Sequence, residues 1–100
     1  MVEYQLFCTR RINDDIAESE EMAKAVYNAL QRFNNNDYGA MPQEDIEANN
    51  KDLANQDGHI LAKYHTPNGY IYINLQFNEL INDDPETYAN AAMIMYPDEY

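Results

Sequence analysis

Apolar and polar residues alternate in some parts of this chain and recur at helical spacing in others. Residues 2–9 alternate, which predicts a first strand. Within residues 22–33, apolar side chains recur every three or four positions and form one stripe, which predicts an amphipathic helix. Either Asp15, at capping-box spacing from Glu18, or Ser19 begins this helix, and the three asparagines at 34–36 end it.

A second, weaker helical pattern follows. Pro42 is suited to the first position of a helix, and the Asp-Gly pair at 57–58 closes the segment. Only Ile46, Asn50 and Leu53 are candidates for inward-facing positions. We therefore expect this helix to lie on the surface of the domain.

The C-terminal half of the chain reads as strands. Residues 60–65 and 70–77 alternate, and the Thr-Pro-Asn-Gly segment at 66–69 predicts a hairpin turn between them. A polar, acidic loop is expected at 78–90, and a last short strand at 91–96.

The resulting order is β-α-α-β-β-β. It predicts an α+β fold in which two helices pack on one face of an antiparallel sheet. One hundred residues suffice for a single hydrophobic core, so we predict one domain over residues 1–100. An apolar fraction of 45% argues against disorder, and nine Tyr with no Trp suit a thin core and a contact surface.

The lone cysteine limits the chemistry. One Cys excludes an internal disulfide and a zinc site built from cysteines, so we expect a reduced, cytoplasmic setting. Cys8 falls in the first strand, where a buried thiol would be inert. Arg10 nearby leaves a reactive thiol as the alternative. We predict neither a signal peptide nor a membrane span.

Other catalytic and metal-binding patterns are weak. His59 and His65 lie on one predicted strand about 20 Å apart, too far to share a metal. The three glycines fall in predicted turns, which argues against a phosphate-binding loop. The acidic segment 82–86 lacks the spacing of a calcium loop, although calcium binding stays an alternative. We expect no cofactor, no metal and no enzymatic activity; a small hydrolase with paired carboxylates is the alternative.

Charge changes this picture most. The chain has 18 Asp and Glu against 6 Lys and Arg, a formal net charge of -12. Phosphate backbones and anionic lipids would repel such a surface, so we expect no direct binding to nucleic acid or membrane. The candidate partner-binding acids lie on the predicted helices and their flanks: Glu18, Glu20, Glu21, Glu44, Asp45, Glu47 and Asp52.

Several of these acids are three residues apart, which places carboxylates about 5–6 Å apart on a helix. Such a row can imitate the phosphates of a nucleic acid and attract a basic protein groove. A solvated face that only keeps the protein in solution is the alternative. Tyr70 and Tyr72 could add stacking area to the contact.

Four segments resemble a family of small acidic proteins encoded on bacterial phages, plasmids and integrative elements. They are Thr9-Arg10-Arg11-Ile12-Asn13, Asp37-Tyr38-Gly39, Asn49 with Leu53, and the ending Ile94-Met95-Tyr96-Pro97-Asp98-Glu99-Tyr100. The resemblance spans nearly the whole chain, and its closing Pro-Asp-Glu-Tyr is the most specific part.

The resemblance implies a context, because mobile elements carry small proteins that block host systems. We therefore expect a non-enzymatic interaction protein in the bacterial cytoplasm. The expected activity is inhibition of a host defence nuclease, of anti-CRISPR or anti-restriction type, by mimicry of DNA in a basic groove. The main alternative is an accessory protein that forms a homodimer through its sheet edge or its tyrosine face.

Overall fold

Three α-helices and a four-stranded sheet form the part of the chain that the computed structural model describes, residues 1–80 and 88–100. In chain order the elements are β1 (Gln5–Cys8), α1 (Arg10–Glu18), α2 (Glu20–Asn34), α3 (Gln43–Asn55), β2 (His59–Thr66), β3 (Gly69–Leu80) and β4 (Tyr88–Met95). A short 3₁₀ turn, Pro97–Glu99, follows β4.

The strands lie in the spatial order β1-β4-β3-β2. The β2–β3 hairpin and the β3–β4 pair are antiparallel, whereas β1 runs parallel to β4. β1 and β2 are therefore the two edges of the sheet. A bulge between Gln76 and Glu79 interrupts the pairing of β3 with β4.

Side chains that cap helices set the helix boundaries. The Thr9 hydroxyl accepts the N–H of Ile12 at 3.4 Å and begins α1. The Ser19 hydroxyl accepts the N–H of Met22 at 3.1 Å and begins α2. Each bond satisfies a backbone donor that the first turn of a helix leaves without a partner. Ser19 therefore separates α1 from α2, and the apolar stripe predicted for residues 22–33 belongs to α2.

The core lies between α1 and α2 and one face of the sheet. Its buried members are Ile12, Met22, Val26, Ala29, Phe33, Tyr38, Ile60, Ala62, Tyr64, Ile71, Ile73, Leu75, Phe77, Ala92, Ile94 and Tyr96. Between Tyr70 and Phe77, alternation along β3 directs the odd-numbered residues into this core and the even-numbered residues to the other face. α3 lies against the edge strand β2, with Ile46 and Leu53 packed on the core.

The predicted α+β class is confirmed, but two finer predictions are wrong. The described part of the chain has three helices rather than two, and its sheet is mixed rather than antiparallel. The sequence did not predict α1 because its apolar pattern is short. Only Ile12 and Ile16 of this helix pack on the core. Alternation shows which residues share a face of a strand, but not the direction of the neighbouring strand.

Three local predictions also need correction. The loop expected at 78–90 is shorter, because β3 continues to Leu80 and β4 begins at Tyr88. Asn50, expected to face inward, is exposed, and Asn49 is buried instead. Cys8, expected to be buried, is exposed, as are the other three residues of the edge strand β1.

Candidate interaction surfaces

The first group of candidate acids lies where α1 meets α2. Glu18 is the last residue of α1, and Glu20 and Glu21 form the first turn of α2 beyond the Ser19 cap. Carboxylates at this position interact favourably with the positive end of the helix dipole. Glu20 also lies 3.5 Å from Lys24, an exposed ion pair one turn apart. All three acids are exposed to solvent.

The second group lies at the start of α3. Glu44 and Asp45 occupy its first turn after Pro42, and Glu47 follows one turn later. All three are exposed. Because α1 and α2 pack on each other while α3 lies against β2, the structure places the candidate acids in two groups on separate helices. We call these six residues, Glu18, Glu20, Glu21, Glu44, Asp45 and Glu47, the helix acids.

Asp52, the remaining candidate acid, forms a hydrogen bond within the protein. Its Oδ2 accepts the backbone N–H of His59 at 3.3 Å, and the side chain is half-buried. The bond occupies a donor at the start of the edge strand β2. Asp52 therefore has a structural role at the sheet edge.

Asn49 closes the same edge further along. Its Nδ2 donates to the carbonyl of Leu61 at 2.8 Å, and its Oδ1 accepts the N–H of Leu61 at 3.1 Å. The side chain is only 4% exposed. One amide thus satisfies both outward-facing backbone groups of Leu61, as a neighbouring strand would.

The loop between α2 and α3 covers the next part of the β2 edge, at Lys63. The N–H of Lys63 donates to the carbonyl of Tyr38 at 3.1 Å, and the N–H of Ala40 donates to the carbonyl of Lys63 at 2.7 Å. Gly39, between them, forms a single parallel bridge with Lys63. Two of the segments that carry the family resemblance, 37–39 and Asn49, therefore act together in covering the β2 edge.

Asp37 holds this loop on α2. Its carboxylate accepts from Arg32 Nε at 2.8 Å and from the N–H of Gly39 at 3.0 Å. The hydrogen bond from Arg32 is the largest cause that lowers the pKa of the Asp37 carboxyl from its usual value, and the Gly39 bond adds to it.

The lowered pKa of Asp37 predicts a pH-dependent contribution to stability. A carboxyl whose folded-state pKa is depressed stabilises the fold above its unfolded-state value, about 4, and this stabilisation is lost as the pH falls through the folded-state pKa. We expect Asp37→Asn to lower the free energy of unfolding at neutral pH by no more than about 1 kcal/mol, because Arg32 and Asp37 are half exposed. Urea unfolding should show the difference shrinking as the pH falls below about 4.

An Arg32→Met background provides the control for this titration. There, Asp37→Asn should change the pH dependence of stability much less, because the largest cause of the lowered pKa is gone and only the Gly39 hydrogen bond remains. A wild-type advantage over Asp37→Asn that grew as the pH fell would contradict the assignment.

The C-terminal segment folds back onto the start of α1. Glu99 Oε1 accepts from the Thr9 hydroxyl and from the N–H of Tyr96, both at 2.9 Å. Arg11 Nη1 contacts Asp98 Oδ2 at 2.8 Å, and its guanidinium lies 4.7 Å from the centroid of the Tyr96 ring. The two ends of the resemblance, 9–13 and 94–100, therefore meet in space.

Tyr96 ties this contact to the hairpin turn. Its hydroxyl donates to the carboxylate of Asp15 and accepts from Asn68 Nδ2 at 3.2 Å. Burial, followed by the hydrogen bond to Asp15, raises the pKa of the Tyr96 phenol. A phenol kept protonated remains a donor, so the arrangement is suited to holding the tail in place.

Tyr70 and Tyr72 lie on the opposite side of the sheet from the helices. Tyr70 is 42% exposed, and the Nζ of Lys63 lies 4.3 Å from the centroid of its ring. Tyr72 is half-buried and meets Tyr100 edge-on, with ring centroids 5.5 Å apart. The tyrosines and the helix acids therefore belong to different surfaces.

We call the side of the sheet that carries these tyrosines the open face. Up to the bulge, its strand residues are Gln5, Phe7, His59, Leu61, Lys63, His65, Tyr70, Tyr72, Asn74, Gln76, Ala91, Met93 and Met95. None of them is acidic, and the register places Glu79 on this face only beyond the bulge. The charge of the described residues is thus distributed unevenly between the two sides of the sheet.

The chain matches no protein-family model, no curated protein and no solved structure. The family resemblance stays a prediction, and the contacts above are interpreted from the chain's own residues.

The remaining candidates for catalysis or metal binding lie apart from one another. His59 and His65 occupy the two ends of β2, and both are exposed. Across the described ranges, no three His, Cys, Asp or Glu side chains come together as metal ligands would. The calcium alternative at 82–86 falls outside the described residues. No helix formed by residues 1–80 or 88–100 combines the length and apolar character that crossing a bilayer requires.

Sequence reasoning missed Asn49 as the residue that closes β2. Asn49 and Asn50 follow Ile46 by three and four positions, so helical spacing allows either to face inward. The available signal was Asn49's place in the family resemblance. Sequence reasoning also missed the contact between the C-terminal segment and α1. The local sequence of neither segment specifies a partner about ninety residues away.

Proposed function

We propose that this chain is a non-enzymatic interaction protein that binds a basic protein surface through its helix acids. The observation that carries the proposal is that most of these carboxylates are left without a cation. Within residues 1–80 and 88–100, only Glu20 among the helix acids lies within ion-pair distance of a Lys or Arg.

The distribution of cations supports this. Arg10, Arg11, Lys24 and Arg32, four of the six, already pair with Asp14, Asp98, Glu20 and Asp37. The helix acids thus contribute a field that the protein does not neutralise itself. A field of one sign speeds the encounter with an oppositely charged partner and is weakened by salt.

The partner class follows from the resemblance to proteins of mobile elements. We propose the nucleic-acid groove of a bacterial defence nuclease, of CRISPR or restriction type, in the cytoplasm of the host. Such a groove is lined with Lys and Arg that otherwise contact phosphates. Carboxylates about 5–6 Å apart on a helix approach the spacing of those phosphates.

Charge reversal on α3 tests the proposal. Purified CRISPR and restriction nucleases are assayed for DNA cleavage with the wild-type chain and with the variant E44K/D45K/E47K. We expect wild-type inhibition that weakens with rising salt, and at least tenfold weaker inhibition by the variant.

The matched control is E3K/D57K/E79K, which has the same net charge and changes three exposed acids outside the helix acids. It should inhibit much more strongly than the α3 variant. Inhibition that was independent of salt, or equal for the two variants, would refute binding through the helix acids. No inhibition of any nuclease tested would refute the partner class.

A further inference from the structure

The two edges of the sheet are treated differently by the rest of the chain. Along β2, Asp52 accepts from the N–H of His59, and Asn49 and the loop residues Tyr38 and Ala40 satisfy both outward-facing backbone groups of Leu61 and Lys63. β1, the other edge, has all four of its residues, Gln5–Cys8, exposed. An edge strand with free backbone groups is a template for another strand.

The backbone direction of β1 identifies which groups are free. The N–H of Thr9 donates to the carbonyl of Ile94 in β4 at 3.0 Å. In a parallel pair, alternate residues point to the same neighbour, so Phe7 and Gln5 also bond to β4. The N–H and C=O groups of Leu6 and Cys8 therefore point away from the sheet.

The side chains of β1 lack the usual protection of an edge. Proteins blunt exposed edges with charges, prolines or bulges, and residues 5–8 contain no charged residue and no proline. Leu6 is 45% exposed and Phe7 is 39% exposed. In a chain with net charge -12, this is an uncharged, partly apolar strand with unpaired backbone groups.

We propose that a second copy of this chain pairs with β1 in antiparallel orientation, which joins the two sheets into one of eight strands. The two copies are then related by a twofold axis normal to the sheet. This axis keeps each face of one sheet on the same side as that face of the other, so paired residues must belong to the same face. Pairing the outward-facing groups then sets Leu6 opposite Cys8 of the partner subunit, and Phe7 opposite the partner's Phe7. The two phenylalanines meet on the open face at a non-hydrogen-bonded position, where side chains approach most closely.

Charge complementarity favours a second copy as the occupant. In this register Gln5 lies opposite Thr9 of the partner subunit, which is the last residue before α1 begins. Glu3 therefore lies near the exposed Arg10 of the partner subunit, at the start of that helix, once at each end of the interface. The strands between these ends carry no charge, so no carboxylates face each other across the paired strands.

The salt dependence separates this inference from the proposed function, on which it does not rest. Two acidic copies repel each other at long range, so screening should strengthen the dimer. Binding of the helix acids to a basic partner should instead weaken with salt. One chain is thus expected to show two opposite responses to the same variable.

Sedimentation of the full chain over a range of concentrations and salt tests the dimer. We expect a monomer–dimer equilibrium whose dissociation constant falls as salt rises. F7E should raise the dissociation constant at least tenfold, and so should L6P, which removes an outward-facing N–H without removing an internal bond. Y27E, at an exposed residue of α2, is the control and should dimerise as the wild type does.

Cross-linking tests the register. Paired residues at a hydrogen-bonded position have Cα atoms about 5.5 Å apart, within reach of a disulfide. Under mild oxidation L6C should form a disulfide-linked dimer through Cys8 of the partner subunit. The wild type and Q5C, whose new thiol lies on the opposite face from Cys8, should not. A wild-type monomer at all concentrations and salts, dimerisation unaffected by F7E and L6P, or equal cross-linking of L6C and Q5C would overturn the proposal.

Discussion

Replacing Asn49 with alanine should lower the free energy of unfolding by about 2–6 kcal/mol. Its buried amide satisfies both the N–H and the C=O of Leu61. Truncation leaves these two backbone groups without a partner, and each orphaned buried group costs about 1–3 kcal/mol. Denaturant unfolding monitored by circular dichroism gives the value directly.

Asn55→Ala is the matched control, since Asn55 is an exposed asparagine of the same helix. It should change the free energy of unfolding by less than about 0.5 kcal/mol. If Asn49→Ala were as mild as Asn55→Ala, the amide would not be what satisfies the β2 edge.

A second large effect is expected at Gly39. The residue has φ of 71°, and a Cβ added there would lie 2.0 Å from the carbonyl oxygen of Lys63 and 2.8 Å from the ring of Tyr64. The loop cannot withdraw without losing its bonds to Lys63. Gly39→Ala should therefore lower the free energy of unfolding by at least about 3 kcal/mol, or prevent folding.

Gly69→Ala separates the overlap from the backbone strain. Gly69 also has positive φ, 94°, but an added Cβ would meet nothing within 4 Å. Its alanine variant should carry only the backbone strain of a positive φ, about 1–2 kcal/mol in unfolding measurements. Equal losses at the two positions would show that the loop is not packed tightly against β2.

The sequence predicted best where local pattern and tertiary packing agree. Residues 70–77 alternate without exception, and in β3 the odd-numbered ones are buried as expected. The Ser19 cap and the hairpin turn at 66–69 were also readable, because each depends on residues close in sequence.

Predictions failed where partners are distant in the chain. The parallel pairing of β1 with β4 joins segments more than eighty residues apart, and alternation carries no information about strand direction. The burial of Asn49 rather than Asn50 depends on where Leu61 lies, which helical spacing does not encode.

For the candidate surfaces too, local features were predictable from the sequence and long-range contacts were not. Composition named the helix acids correctly as exposed groups, but it could not show that Asp52 bonds to β2 or that Tyr70 and Tyr72 lie across the sheet from the helices. Nor did it reveal the unpaired edge at β1, since an edge is a property of the whole sheet.

The contrast between a closed β2 edge and an open β1 edge can be read in one measurement, amide hydrogen exchange of the wild-type chain followed by NMR at low and high protein concentration. The amides of His59, Leu61 and Lys63 should be protected at both, because the chain supplies their acceptors. Those of Leu6 and Cys8 should exchange fast when dilute and slow markedly when concentrated. Fast exchange at Leu61 and Lys63, or exchange at Leu6 and Cys8 that is independent of concentration, would contradict the assignment of the two edges.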